Sequence, residues 1–196
     1  MSWRARMFNR RASSSKSSPG RILRNLAINA WDSIADIEAG GGYYAFRFAE
    51  LVGSRGKVFA VDVKSDFLRY LNDECRENGY DNVFTINSDA VFSSLPKKAL
   101  DLVFLRNVYH HLPNRTDYFR AMKGHIKPDG RVVILDYRNN GGFSFHKLFG
   151  HYVTPETIIQ EMEDAGYRLS QSFDFLQEQS FLIFRSSKTN RDHGFT

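Results

Sequence analysis

Compact apolar runs alternate with amphipathic stretches along most of the chain. "SIADI" (33–37) reads as a buried strand running straight into Gly40, Gly41 and Gly42. From Tyr43 to Leu51 the apolar spacing becomes helical and stops near Gly53, and "KVFAVD" (57–62) is again a buried strand, completing a β-α-β unit. Ser65 is placed to cap a helix that runs through Asn78 and ends at Gly79. "NVFTIN" (82–87) and "LDLVFL" (100–105) are strands, and Asn114 with Asp117 opens a helix reaching about Ile126. "KPDG" (127–130) predicts a turn, "RVVILD" (131–136) a strand, and Thr154 followed by Pro155 a helix that Gly166 terminates.

The last two strands, "SFDFL" (172–176) and "SFLIFR" (180–185), are separated only by Gln177, Glu178 and Gln179. So short a connection joins antiparallel neighbours. The expected fold is therefore α/β: a Rossmann-like, doubly wound, mostly parallel seven-stranded sheet closed by an antiparallel C-terminal hairpin. Ile22, Leu23, Leu26 and Ile28 add a short helix ahead of the first strand.

At 196 residues the chain suits one catalytic domain. Its net charge of +5 is unevenly placed: Arg4, Arg6, Arg10, Arg11, Lys16, Arg21 and Arg24 precede the first acid, Asp32, so the rest of the chain is slightly acidic. Residues 1–19 are read as a basic arm, flexible or separately docking, residues 20–186 as the folded domain and 187–196 as a polar tail. The Arg- and Ser-rich start also imitates a transit peptide, although it lacks a clear apolar face. With the basicity confined to the arm, the domain offers no basic groove, which argues against a nucleic-acid partner. A single cysteine, Cys75, excludes a multi-thiol metal site or an internal disulfide and suits a cytoplasmic setting, and the apolar runs are too short to span a membrane.

In an open α/β sheet, ligands sit beyond the carboxyl ends of the strands. Three glycines after the first strand allow close approach of a ligand to the backbone. "GGGYYA" also satisfies a dinucleotide spacing, with Asp62 about twenty residues on as a ribose-binding acid, so a nicotinamide-dependent oxidoreductase is one reading. Asp36, ahead of the glycines, departs from it, because an acid there suits an ammonium group better than a pyrophosphate.

Taken in order, "IADIEAGGGYYAFRFAE", "VGSRGKVFAVD", "NSDA", "LDLVFLRNVYHHL" and "IKPDGRVVILD" resemble the successive motifs of class I S-adenosylmethionine-dependent methyltransferases. The resemblance implies S-adenosylmethionine as cofactor and methyl transfer to a small-molecule acceptor. By it, Gly40 and Gly42 border the methionine and ribose, Asp36 lies near the amino group, and Asp62 holds the ribose hydroxyls. Asp89 accepts from the adenine amino group, Ala90 offers its N–H to the ring, and Asn107 faces cofactor or acceptor. Glu38 stands where the family usually has glycine. It either points to solvent, which a negative φ would permit, or pairs with the methionine ammonium. That departure keeps a non-catalytic cofactor-binding module as a further alternative.

Methyl transfer needs an aligned nucleophile, and a base only if the acceptor loses a proton. His110 and His111 are candidate bases, and His146 and His151 follow in "FSFHKLFGHYV". No carboxylate or thiol joins these histidines at a recognised ligand spacing, so no metal is expected. Phe143, Phe145, Phe149, Tyr152 and Tyr43 are either core or an aromatic wall around a sulfonium. Gly141 and Gly142 suggest hinges of a cover. The "RNVYHHL" stretch lacks the Asn-Pro-Pro-aromatic motif of nucleobase amino methylation, and arsenite methylation would need more thiols.

Overall fold

The computed structural model describes residues 3–138 and 152–187. Seven strands form one sheet: β1 (Ser33–Ile37), β2 (Lys57–Asp62), β3 (Val83–Asn87), β4 (Leu100–Arg106), β5 (Ile126–Tyr137), β6 (Tyr167–Phe173) and β7 (Gln179–Ser186). Their order is β3-β2-β1-β4-β5-β7-β6. The first five are parallel, and β7 runs antiparallel to both β5 and β6. The alternating, mostly parallel sheet with a reversed end is the architecture that the apolar pattern predicts.

Nearly every central strand residue is buried, because helices cover both faces. Ile34, Val58, Leu102, Phe104 and Val133 face α3 (Tyr43–Val52) and α4 (Ser65–Asn78). Ala35, Phe59, Val103, Leu105 and Val132 face α6 (Arg115–Met122) and α7 (Pro155–Asp164), with the short α5 (Val91–Ser94) at one end. Strand order reverses between β1 and β4, so their carboxyl ends part and open a crevice.

Some boundaries depart from the periodicity. Ser65 is the first helical residue of α4 rather than its cap, and Lys64 takes the cap position. The helix opened by Asn114 stops at Met122 instead of near Ile126. The His125 carbonyl accepts from the Ala99 and Leu100 N–H groups, which draws the chain out of the helix toward the sheet. "KPDG" lies within the bounds of β5, at an irregularity in its pairing with β4. The sixth strand starts directly after Gly166 and ends at Phe173, so Phe175 and Leu176 leave the ladder and pack on Phe181 and its neighbours. Thr154 does cap α7, its hydroxyl accepting from the Thr157 N–H at 3.2 Å.

The basic arm is not a loose extension. Trp3–Ser13 forms α1, and Pro19–Asn25 forms α2 with Pro19 in its first turn. On α1, Ala5, Asn9 and Ala12 share one face at helical spacing, and both alanines are buried. Asn9 anchors the helix: its Nδ2 donates to the Gly41 carbonyl at 2.7 Å, and its Oδ1 accepts from the Tyr43 N–H at 3.0 Å. The apolar face of α1, with Phe8 against Phe67 between the buried Ala5 and Ala12, is short and interleaved with arginines, too slight to register in sequence.

Candidate functional site

The crevice between β1 and β4 widens into a cavity of about 1800 Å³. Strand ends and the following turns form its floor, and α1 supplies one wall through Phe8, Asn9, Arg11 and Ala12. That volume exceeds what one drug-sized ligand needs, so two molecules can share it.

The turn after β1 forms the centre. Gly40 has φ +58°, and its pro-side-chain direction meets nothing closer than the Glu38 carbonyl at 4.0 Å, so the backbone there is bare toward the cavity. Gly41 is constrained differently: a Cβ would fall 2.3 Å from the Ala5 carbonyl of α1. Gly42, at φ +80°, is the N-cap of α3 and faces Leu71 of α4 rather than the cavity, so it shapes the turn without bordering the crevice. Asp62 at the end of β2 locks the turn, accepting from the Gly40 N–H at 2.9 Å and from the Lys64 N–H at 2.8 Å. The Val63 N–H is a third backbone donor to this carboxylate, which has about four acceptor positions in all. Burial pushes the Asp62 carboxyl above its ordinary range, against the backbone donors Lys64 and Gly40.

Glu38 takes φ +57°, a left-handed conformation that costs a side-chain-bearing residue about 1–2 kcal/mol. The permissive negative-φ reading of this position is therefore corrected. Its carboxylate turns across the crevice and accepts from the Ser88 hydroxyl at 2.9 Å. Burial and the Asp62 charge raise its pKa.

Asp36 is buried at the end of β1, where desolvation and the neighbouring Asp62 push it up to about 8, opposed by the Ala45 N–H and the Arg106 charge. Arg106 stands at the end of β4, with its guanidinium 5.6 Å from the centre of the Tyr44 ring. Arg106 Nε and the Tyr44 hydroxyl are buried without a hydrogen-bond partner. Sequence reasoning passed over both, although Arg106 adjoins Asn107 at a strand end. Asp89 lines the cavity after β3 in a 3-10 turn whose N-cap, Asn87, accepts from the Asp89 N–H at 2.9 Å. Ala90 ends that turn and is not among the cavity-lining residues.

Beyond β4, Asn107 also has positive φ, at 58°. Its Nδ2 donates to the Tyr137 hydroxyl at 3.1 Å, and its Oδ1 accepts from Gln179 Nε2. The side chain is thus tied across the ends of β5 and β7 by two bonds that escaped the sequence reading. His110 and His111 both line the cavity, with ring centres 3.9 Å apart. His110 donates its backbone N–H and its Nδ1 to the fully buried Asp136 carboxylate, at 2.8 and 2.7 Å.

Tyr43 lines the cavity, whereas Tyr152 is not among the lining residues. Phe143, Phe145, Phe149, His146, His151 and the proposed hinges Gly141 and Gly142 lie outside the described residues. Among the described residues there is no cluster of three or more His, Cys, Asp or Glu able to hold a metal ion, and no helix long and apolar enough to cross a membrane.

A family model described as a methyltransferase domain matches residues 29–182. The "Ubiquinone/menaquinone biosynthesis C-methyltransferase UbiE" of Teredinibacter turnerae is 26% identical over 162 residues, covering 79% of this chain and 65% of that protein. The demethylmenaquinone methyltransferase of Geobacillus kaustophilus is 24% identical over 131 residues, covering 67% and 56%. The chain spans 49% to 66% of the length of such relatives. Among solved structures, a SAM-dependent methyltransferase from Aquifex aeolicus aligns with a TM-score of 0.75 at 21% identity, covering 85% of this chain and 88% of that one. The [4+2]-cyclase SpnF aligns at 0.71 with 14% identity, covering 87% and 82%. These likenesses establish the fold, and the second carries a different reaction in its name.

Proposed function

Given that the chain belongs to the methyltransferase-domain family, we propose that it binds S-adenosylmethionine at the carboxyl ends of β1 to β4 and transfers its methyl group to a small molecule. The observation that carries this reading is the combination of a bare glycine turn with two strand-end carboxylates in one cavity. Burial and the Asp62 charge raise Asp36 to about 8, and a ligand ammonium beside it would offset that penalty. Asp62 retains acceptor capacity for a ribose hydroxyl beyond its backbone donors, and the open side of Gly40 lets a ribose approach the backbone. The residues present therefore fit an adenosyl amino acid. A pyrophosphate would instead meet Asp36, Glu38 and Asp62 together, which disfavours a dinucleotide.

When bound, the cofactor supplies an electrophilic methyl carbon on a sulfonium. The protein's share is to orient and to exclude water. Asp62 and Gly40 fix the ribose end, and Asp89 receives the adenine amino group beside Val91 and Phe92. The bond to Asp136 puts a proton on His110 Nδ1 and sets the ring's orientation, and His110 is the base assigned to an acidic acceptor. Asn107 acts as a positioning residue, holding Tyr137 and Gln179 at the acceptor side. Names of relatives in quinone biosynthesis make a quinol-type ring a first acceptor to try.

Native mass spectrometry of the purified full chain tests the reading. Retention or uptake of S-adenosylmethionine or S-adenosylhomocysteine is expected; uptake of NAD or NADP in their place would overturn it.

A further inference from the structure

Six large apolar side chains stand exposed among the described residues, and three of them sit on α1 or beside it: Trp3 and Phe8 on the helix, Val63 in the turn after β2. Trp3 is 70% exposed. Val63 shares a surface depression with Arg4, Lys64 and Phe67, and the Phe67 ring meets that of Phe8. The patch runs into the cavity, which Phe8, Val63 and Lys64 also line. A single exposed apolar side chain needs no explanation, but a cluster at the mouth of a cavity marks a contact surface.

Charge on this face is one-sided. Helix α1 carries Arg4, Arg6, Arg10 and Arg11 and no acid. Arg6 is held by the Tyr70 hydroxyl of α4, whereas Arg4, Arg10 and Arg11 are exposed and take part in no salt bridge among the described residues. Asp66, the acid of the depression, pairs with Arg69. Trp3, Met7 and Arg10, four and three positions apart, lie opposite the Ala5, Asn9 and Ala12 face that docks on the domain. Arginines around an outward tryptophan match a surface that is anionic outside and apolar beneath, because guanidinium heads stay with the phosphates while the indole reaches deeper. A nucleic-acid backbone would leave Met7 and Val63 unused, and the domain offers no basic groove to follow one.

We propose that the outward face of α1, with Val63 and Lys64 beside it, docks on an anionic lipid surface and holds the cavity mouth at the headgroup layer. With 11 residues, about 16 Å of helix, α1 lies along such a surface and does not cross it. Each arginine close to an anionic surface strengthens binding by about 5-fold, and salt weakens the attraction. The docking is independent of which reaction the cavity performs, so it stands or falls separately from the methyl-transfer reading.

The test is co-sedimentation of the full chain with vesicles of equal parts phosphatidylcholine and phosphatidylglycerol, beside vesicles of phosphatidylcholine alone. Binding to the mixed vesicles should be at least about 10-fold tighter and should weaken with added salt. Replacing two exposed arginines together, Arg4→Gln with Arg10→Gln, should lower it by about 10- to 30-fold. Trp3 and Trp31 are the two tryptophans, and Trp31 precedes β1, at the end of the strands away from the cavity. In Trp31→Phe the remaining Trp3 emission should shift to the blue on mixed vesicles and be quenched by brominated acyl chains; in Trp3→Phe the remaining Trp31 emission should do neither. That pair carries the test if the arginine variant does not fold. Absence of sedimentation, equal binding to both kinds of vesicle, or a Trp3 signal that lipid leaves unchanged overturns the proposal. So does a single-stranded oligonucleotide that binds more tightly than the vesicles at equal phosphate concentration, which would assign the surface to nucleic acid.

Discussion

His110 presents its main-chain N–H and its ring Nδ1 to the two oxygens of a single carboxylate, Asp136, at 2.8 and 2.7 Å. The Tyr137 N–H adds a third donor at 2.8 Å, and the carboxylate is fully buried. Asp136→Asn turns one acceptor end into a donor that faces an N–H, so it should destabilise the fold by about 2–4 kcal/mol, read in denaturant melts. A loss below about 0.5 kcal/mol would mean that the contact contributes little.

His110 itself tests the proton-transfer role. His110→Ala should lower turnover on an acidic acceptor by about 10²- to 10⁴-fold while leaving S-adenosylhomocysteine affinity within about 3-fold. Equal turnover in the two proteins would remove the base from the mechanism.

Asp36 makes stability depend on pH in a direction opposite to that of a salt-bridged acid. Its folded value of about 8 lies far above its ordinary 3.8. Between those values the unfolded chain carries the charge while the folded protein holds the proton, so stability falls as pH rises through the window. The ligand-free melting temperature should drop from pH 5 to pH 8, and Asp36→Asn should flatten that slope. Glu38 and Asp62, also raised, leave a residual slope of the same sign. A melting temperature that climbs across this range would contradict the assignment.

Glu38 combines strain with a bond across the crevice. Glu38→Gly relieves the left-handed side chain and should raise the melting temperature by about 2–4 °C for about 1 kcal/mol gained. If the carboxylate contributes to the site, S-adenosylhomocysteine should bind more weakly to the variant by calorimetry. Unchanged or tighter binding would leave Glu38 with no part in it.

Gly41 reports on α1. A Cβ there would press on the Ala5 carbonyl and on Asn9, so Gly41→Ala should displace the helix and speed tryptic cleavage among Arg4, Arg6, Arg10 and Arg11. Cleavage at the wild-type rate would show that α1 does not depend on this contact.

The sheet was legible because buried parallel strands are written as unbroken apolar runs, "LDLVFL" and "RVVILD" above all, with glycines at the helix ends. The carboxylates were legible for a similar reason: Asp36 and Asp62 stand at the ends of β1 and β2, and Asp89 just after β3. The ties across strands were not. Gln179 meets Asn107 across 72 positions of chain, and His110 meets Asp136 across 26, pairings that depend on sheet order rather than on local pattern. The sign of φ at Glu38 and the docking of α1 through Asn9 are likewise tertiary facts, invisible to composition.

The most direct test of the account is a calorimetric titration of the full chain with S-adenosylhomocysteine, run beside NAD and NADP. It predicts saturable one-site binding of the adenosyl amino acid, weakened at least about 10-fold by Asp62→Ala through loss of the ribose contacts, and no heat from either dinucleotide. Binding of NAD or NADP with none of S-adenosylhomocysteine would contradict it.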